Sequence, residues 1–260
     1  MITIYSMAYN EELLIKFMID HYRSRFPNCN IVIYDNESTD NTVKIAIANG
    51  CTVIPYYTNN QIDDDKLRSL KNNCWKNSQT DWVLVCDIDE LLEINEKDLR
   101  DEELNGTTII RSEAYNMVNM DNNFDIPNIK HGCRNSAYDK NYIFNKKYIR
   151  EINYCHGAHS TNPIGAAKYS DKKYTLYHYH YINIELSVQR HKLTMSRMSE
   201  KNIRNGWGVI HPDPEGDIRK IFIGHQENAT KIRQWLLYIL LNQTDENVRT
   251  SFNNGRIGTR

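Results

Sequence analysis

One short apolar run that ends in three carboxylates constrains the fold more than any other stretch of the chain. The run covers residues 82–86, and Asp87, Asp89 and Glu90 follow it directly. An uninterrupted series of large apolar residues predicts a strand that is buried on both faces of a parallel sheet. Because side chains alternate along a strand, we expect Asp87 and Asp89 to point the same way and Glu90 to point away from both. Two adjacent carboxylates suit Mg²⁺ or Mn²⁺, and a solvated acidic turn is the competing interpretation.

The elements that precede this run alternate between strand and helix. Strand patterns cover residues 2–7, 31–34 and 52–57, while helical spacing of apolar residues covers 13–21, 43–48 and 64–78. Asn10 is expected to cap the first helix, and Gly50 to end the second. This order predicts an α/β fold with a doubly wound, mostly parallel sheet flanked by helices. Ligands bind beyond the carboxyl ends of the strands in such sheets, where the acidic residues also lie.

After residue 92 the pattern is less regular. Strands are expected at residues 107–118, 142–144 and 174–181, with a loop-rich segment at 119–141 and helical spacing at 184–201 and 229–242. The last of these strands has His178 and His180 on one face, and imidazole is an acceptable ligand for Mn²⁺ beside carboxylates. Histidines among tyrosines are more often packed core residues, so both interpretations stay open. Lys146, Lys147 and Arg150 either neutralise a diphosphate or form a solvated basic face.

Composition and the termini exclude several other classes of protein. The chain of 260 residues has a formal net charge of −1, so it lacks the excess of positive charge that nucleic-acid binding requires. Its six cysteines form no CxxC pair, so we expect reduced thiols in a cytoplasmic protein. The start of the chain lacks the pattern of a secretory signal. The most apolar late stretch, residues 235–241, is too short to cross a bilayer, and we expect no transmembrane segment.

Two further polar turns follow predicted strands. Asp35 begins the turn after the second strand, where it could accept a hydrogen bond from a base edge or a ribose, with Asn36 and Ser38 as additional polar contacts. The same residue types also satisfy turn and cap donors when no ligand is present. After the first strand, Tyr9 could stack on a base. The position of these turns beside the acidic residues, at the same edge of the sheet, favours a ligand site.

Three motifs together resemble the GT-A fold glycosyltransferases, specifically the family-2-like group with a D-x-D-E motif. They are Ala8-Tyr9-Asn10-Glu11, the turn from Asp35 to Thr42 in the form D-N-x-S-x-D-x-T, and Asp87-Ile88-Asp89-Glu90. A later segment, His178-Tyr179 followed by Asn183 and Glu185, is similar to the H-Y…S-x-E segment of one branch. The resemblance implies a GT-A-like catalytic domain over residues 1–192, with a helical C-terminal extension over residues 193–260 packed on it.

The resemblance also implies an activity and a set of site residues. The chain would transfer a sugar from a nucleotide-sugar donor, most often a UDP-sugar, to a glycan or protein-linked hydroxyl acceptor, as in polysaccharide biosynthesis. The reaction would depend on Mn²⁺ or Mg²⁺. The donor would contact Ala8, Tyr9, Glu11, Asp35, Asn36, Ser38, Asp87 and Ile88. The metal would bind Asp87, Asp89 and His178.

An inverting transfer needs a base that takes the proton of the acceptor hydroxyl. Glu113, on the strand after the acidic residues, is the first candidate, and Asp139 in the loop-rich segment is the second. Both could equally be surface charges.

Two other interpretations compete with the glycosyltransferase. A hydrophobic strand followed by D-x-D also opens the haloacid-dehalogenase phosphatases, but Leu91 stands where that family expects Thr or Val. The chain could also be a catalytically silent carbohydrate-binding or assembly protein that keeps the fold. The intact acidic motif argues against silence.

Overall fold

Four parallel strands at the start of the chain form the part of the sheet that positions the three motifs. A computed structural model describes residues 1–121, 125–208 and 213–232. The four strands are β1 (Ile2–Ala8), β2 (Asn30–Asp35), β3 (Thr52–Pro55) and β4 (Trp82–Asp87). Their spatial order is β3-β2-β1-β4. The prediction of a doubly wound α/β unit is confirmed for this half of the sheet.

The second half of the sheet mixes both strand directions. Its strands are β5 (Glu90–Leu92), β6 (Ile109–Val118), β7 (His131–Arg134), β8 (Ile143–Asn145), β11 (Tyr169–Tyr181) and β12 (Thr230–Lys231). β8 pairs antiparallel with β4, and β11 lies parallel to β6 and antiparallel to β5. Strands β9 (Ile149–Glu151) and β10 (Ile164–Gly165) form a separate small hairpin. The predicted fold class, a GT-A type sheet flanked by helices, is confirmed.

Three helices of the first half connect the parallel strands, and a fourth follows β5. They are α1 (Ile15–Arg25), α2 (Thr42–Ala48), α3 (Asp64–Asn73) and α4 (Glu96–Leu104). The prediction that Asn10 caps α1 is wrong, because α1 begins four residues after Glu11 and has Leu14 at its N-cap position. Asn10 instead has φ 52° and bonds the turn after β2. Gly50 has φ 69° just after α2 and ends it as expected.

Strand β4 is buried on both faces, as its sequence predicts. Leu84 and Cys86 belong to one apolar cluster, and Val83 and Val85 belong to the other. All four are at most 1% exposed. Burying a Val or Leu side chain contributes roughly 1.5–3 kcal/mol, so this strand fixes the position of the acidic residues at its end.

The C-terminal helices differ from their prediction in two places. The expected helix at 184–201 is two helices, α5 (Ile184–Ser196) and α6 (Glu200–Asn205), because Ser199 accepts the backbone N–H of Asn202 and starts a new helix. Helix α5 is continuous across the predicted domain boundary between residues 192 and 193.

A helix α7 (Pro214–Asn228) lies where none was predicted. The helix expected at 229–242 is wrong at its start, because Ala229 follows the end of α7 and residues 230–231 form β12. Residues 233–242 lie outside the described part of the chain. None of the helices that the structure describes is long and apolar enough to cross a membrane.

Candidate functional site

The acidic motif is a sharp turn rather than the end of a straight strand. β4 ends at Asp87 and β5 begins at Glu90, with Ile88 and Asp89 between them. The Tyr179 backbone N–H on β11 donates to the Asp89 carbonyl at 2.7 Å, which holds the turn against that strand. Regular strand alternation therefore stops at Asp87, and the expectation that Asp87 and Asp89 point the same way stays a prediction.

Asp87 is held by two lysines. The Lys71 ammonium, from α3, donates to its two carboxylate oxygens at 2.7 and 2.9 Å, and Lys140 Nζ lies 4.0 Å from Oδ2. Burial opposes ionisation of Asp87, but Lys71 and Lys140 outweigh it and lower the pKa of the carboxyl below its ordinary value. Each carboxylate oxygen thus already accepts one hydrogen bond and keeps a further lone pair, so contact of Asp87 with metal or donor stays a prediction.

Glu90 lies beside Asp87 and not away from it, contrary to expectation. It accepts the Lys140 ammonium at 2.7 Å and the hydroxyl proton of Tyr142, while the Asp87 N–H points at its second oxygen at 3.4 Å. Glu90 is 1% exposed, and burial raises the pKa of its carboxyl. We call Lys71, Asp87, Glu90 and Lys140 the lysine cluster. It is a network of two carboxylates and two ammoniums, in which Lys71, Glu90 and Lys140 are buried and the Asp87 side chain is 34% exposed.

Asp89 faces a different set of partners, two histidines on β11. Its Oδ2 lies 3.7 Å from His178 Nε2 and 3.6 Å from His180 Nδ1. One ligand atom from each of the three residues lies within 4.8 Å of the others, an arrangement that could hold a metal ion. We call these three residues the histidine cluster. The expectation that the two histidines share one face of a strand is confirmed by this geometry.

The surroundings of His178 prepare one of its nitrogens to bind a cation. The amide oxygen of Asn116, on β6, accepts from His178 Nδ1 at 2.8 Å, which leaves Nε2 without a proton and directed at Asp89. The Tyr138 ring stacks on the imidazole at 4.3 Å. Burial lowers the pKa of His178 to about 3, so the ring is neutral at neutral pH, as a metal ligand must be.

Arg190, on α5, joins the histidine cluster to the first turn. Its Nη2 donates to Glu11 at 2.7 Å and lies 3.6 Å from Asp89 Oδ2. Its Nη1 is buried and has no hydrogen-bond partner among the described residues. Burial raises the pKa of Glu11 to about 7 in spite of Arg190. Glu11, predicted from the first motif, therefore lies next to the acidic turn.

The first and second turns interlock at the ends of β1 and β2. Ala8 and Asp35 are register partners, and the Asn10 N–H donates to the Ser38 hydroxyl at 2.9 Å. Asp35 Oδ2 accepts the Ser38 N–H at 3.1 Å, whereas Asp35 Oδ1 is buried without a partner in the described structure. Ala8 and Ile88 are each 3% exposed, and the Ala8 carbonyl accepts the Asn36 N–H at 2.8 Å, so the contact of these two residues with a donor stays a prediction.

The Tyr9 ring lies beneath an arginine that sequence analysis did not single out. The Arg197 guanidinium is 3.1 Å from the ring centroid and also donates to the Asn36 amide oxygen at 2.7 Å. Tyr9 and Asn36 are therefore neighbours, as their motifs predict, and the C-terminal helices reach the same corner of the sheet.

The two candidate bases, Glu113 and Asp139, both contact Arg134. Arg134, on β7, bonds Asp139 at 2.5 Å and lies 3.5 Å from Glu113. Glu113 also accepts the Tyr115 hydroxyl, and alternation along β6 puts it on the opposite face from Asn116. Asp139 is flanked by Tyr138 and Lys140, which contact the histidine and lysine clusters. Both assignments stay predictions.

The basic run at residues 146–150 does not reach the acidic turn. The Lys146 N–H donates to the Asp81 carbonyl at 2.8 Å, and its ammonium bonds the carbonyls of Lys76 and Ser78. Asp81 precedes β4, so Lys146 lies at the opposite end of that strand from Asp87.

Sequence reasoning missed the residues that neutralise the acidic turn. Lys71 and Lys140 are each 3% exposed, a rare state for lysine that no local pattern announces. Tyr138 and Arg197 reach the site only through the folded chain.

Residues 3–97 match the family described as Glycosyl transferase family 2. No curated protein matches the chain. The predicted resemblance to the family-2-like glycosyltransferases is confirmed for residues 3–97 by this match, which includes all three motifs and ends within α4.

Similar solved structures come from two bacteria. A complex of Mycobacterium tuberculosis glucosyl-3-phosphoglycerate synthase with Mn²⁺, UDP and glucosyl-3-phosphoglycerate is 20% identical over 44% of this chain, with a TM-score of 0.31. The chain covers 43% of that synthase. S. aureus TarS 1–349 in complex with UDP is 15% identical over 85% of this chain and 70% of its own, with a TM-score of 0.41.

Proposed function

We propose that this chain, whose residues 3–97 belong to glycosyl transferase family 2, transfers a sugar from a UDP-sugar to a hydroxyl of a glycan or protein-linked acceptor. The observation that carries the proposal is the histidine cluster. Asp89, His178 and His180 converge at the carboxyl end of β4, beside the turns after β1 and β2. A nucleotide bound across those turns would have its diphosphate near these residues.

The ligand set of the histidine cluster fits a divalent transition metal. One carboxylate and two imidazoles suit Mn²⁺ better than Mg²⁺, which prefers oxygen ligands alone. In the neutral ring, the proton of His178 is on Nδ1, which donates to the Asn116 amide oxygen, so Nε2 is unprotonated. A bound Mn²⁺ would stabilise the negative charge that develops on the departing diphosphate.

Residues around the histidine cluster would bind the uracil and the diphosphate of the donor. Asp35 Oδ1, buried without a partner, would accept the N3–H of uracil. Arg190 Nη1, also buried without a partner, would donate to a diphosphate oxygen. Lys71 holds Asp87, so the ammonium is available to the diphosphate if that ion pair opens.

For the chemical step we propose an inverting transfer with Glu113 or Asp139 as the base. Asp139 has the supporting contact, because its neighbour Tyr138 stacks on His178. Turnover by Glu113→Gln and Asp139→Asn separates the two: the variant of the true base should lose turnover by about 10²–10⁴-fold while donor binding is unchanged. Equal, small effects in both variants would exclude both residues.

The domain proposal places a catalytic unit over residues 1–192 and a C-terminal extension over residues 193–260 packed on it. Contacts of Arg197 with Asn36 and of Asn202 with Asp64 support the packing of the described part of the extension, and residues 233–260 lie outside the described chain. We place the protein in the cytoplasm, a proposal supported by six free cysteines.

Binding of nucleotide sugars with and without Mn²⁺ tests the proposed function. In a thermal-shift series, UDP-sugars should raise the melting temperature of the protein only when Mn²⁺ is present. Hydrolysis of the donor should also require Mn²⁺. Asp89→Ala should remove both effects and keep the fold. Asp20→Ala, an exposed residue paired with Lys16, is the matched control. If no nucleotide sugar binds or is cleaved, the proposal of a transferase fails, and the hypothesis of a catalytically silent carbohydrate-binding protein is favoured instead.

A further inference from the structure

Arg197 is a buried arginine whose side chain lies between the turn after β1, at Tyr9, and the turn after β2, at Asn36. We call this place the corner. Arg197 is 7% exposed and follows the end of α5. Its guanidinium covers the Tyr9 ring, Nη2 donates to the Asn36 amide oxygen at 2.7 Å, and Nε donates to the Asn60 carbonyl at 3.2 Å. Residues 3–97 do not include it.

The backbone around Arg197 is fixed to the first half of the chain. The Ile62 N–H donates to the Arg197 carbonyl at 2.7 Å, and the Ser199 N–H donates to the Ile62 carbonyl at 3.3 Å. The Asp64 N–H, at the start of α3, donates to the amide oxygen of Asn202, which is 1% exposed. Arg197 is therefore part of the wall of this corner and not a mobile surface residue.

Within the described part of the chain, one acceptor on Asp35 and one donor on Arg197 have no partner. Ser38 bonds Asp35 Oδ2 only, and Oδ1 is buried with no partner among the described residues. The described residues supply acceptors for Nε and Nη2 of Arg197 and none for Nη1. Asn36, which accepts a hydrogen bond from Arg197 Nη2, directly follows Asp35, so Arg197 contacts the residue next to the one that has the free acceptor.

We propose that Arg197 contacts the nucleobase of the donor and helps to select uracil, an inference that rests on the proposed function. Uracil presents one N–H between two carbonyls, which matches the single free oxygen of Asp35 and the free N–H of Arg197. Guanine presents two adjacent donors and would need both oxygens of Asp35. Cytosine has no proton on N3. The planar guanidinium also offers a face on which a base stacks.

Binding of two ligands that differ in the base tests this role. UDP has a base, and inorganic pyrophosphate has none, yet both present a diphosphate to the Mn²⁺ site. In titrations with Mn²⁺, Arg197→Gln should weaken UDP binding about tenfold, the scale of a hydrogen bond to a charged group, and leave pyrophosphate binding unchanged. Arg219→Gln, which removes a guanidinium that pairs with Glu185 at the surface, should leave both unchanged.

Each alternative result has a definite meaning. An equal loss for UDP and pyrophosphate would make Arg197 a structural residue, and tighter UDP binding would mean that its guanidinium occupies the place of the base; both overturn the inference. Unchanged UDP binding overturns it as well. Arg197→Lys, which keeps the charge and loses the planar fork, guards against misfolding and should show a smaller loss of UDP alone. If the unsubstituted protein binds pyrophosphate but not UDP, the proposed function itself fails.

Discussion

Asp87 of the lysine cluster and Asp89 of the histidine cluster are two residues apart, but their charged neighbours differ. In the lysine cluster, Lys71 and Lys140 neutralise Asp87 and Glu90, so its charges are satisfied within the protein. In the histidine cluster, Asp89 faces two imidazoles, and that of His178 is neutral because burial lowers its pKa to about 3.

This difference separates the two aspartates of the D-x-D motif. A carboxylate with an ammonium on both oxygens, as Asp87 has from Lys71, is held in the turn only while that partner remains. Asp89 faces the neutral ring of His178 and has a cation, the Arg190 guanidinium, 3.6 Å from Oδ2, so its carboxylate can still offer oxygen to a metal. We therefore expect the first cluster to support the turn and the second to supply metal ligands.

The largest expected effect is on stability, in the lysine cluster. Lys140→Met removes the ammonium that bonds the buried Glu90 at 2.7 Å, and we expect the free energy of unfolding to fall by about 3–5 kcal/mol. Denaturant unfolding measures the change. Lys97→Met, an exposed lysine paired with Asp101, should have no measurable effect. Comparable losses in both variants would contradict the support role.

The next effect is on metal affinity, in the histidine cluster. Asp89→Asn removes the only carboxylate of the cluster, and Mn²⁺ binding should weaken by at least about a hundredfold, the upper end of what indirect contacts contribute. Titration with Mn²⁺ measures the affinity. Asp87→Asn should lower the free energy of unfolding more than it lowers Mn²⁺ affinity, because it leaves Lys71 unpaired. If Asp87→Asn lowers mainly Mn²⁺ affinity and Asp89→Asn lowers mainly the free energy of unfolding, then Asp87 is the metal ligand and Asp89 supports the turn.

The smallest effect comes from a residue that orients a ligand without binding the cation. Asn116→Ala frees Nδ1 of His178, so the ring loses its fixed orientation, and Mn²⁺ affinity should fall about tenfold. Asn73→Ala, on the exposed face of α3, is the control. An unchanged titration for Asn116→Ala would show that His178 does not bind the metal through Nε2.

The first four strands could be predicted because their information is local. Apolar runs bounded by polar turns gave β1, β2 and β4 to within two residues, and the parallel order placed three motifs at one edge. The cap at Asn10 failed because its side chain bonds Thr39, far along the sequence, instead of its own helix. Helix α7 had a local signal, Asp213 followed by Pro214 at the first helical position.

The character of the site could not be predicted, because it depends on partners from distant parts of the chain. Asp87 and Lys140 are 53 residues apart, and Arg197 reaches Asn36 across 161 residues. Sequence spacing identified the aspartates as a pair, whereas the tertiary structure gives each its own neighbours. The two histidines were found because alternation on one strand is local.

Anomalous diffraction at the manganese edge, from crystals grown with Mn²⁺ and UDP, tests the central claim most directly. The account predicts a single peak in contact with Asp89, His178 Nε2 and His180, with Lys71 still bonded to Asp87. A peak that bridges Asp87 and Asp89, with the Lys71 ammonium displaced and both histidines remote, would contradict it.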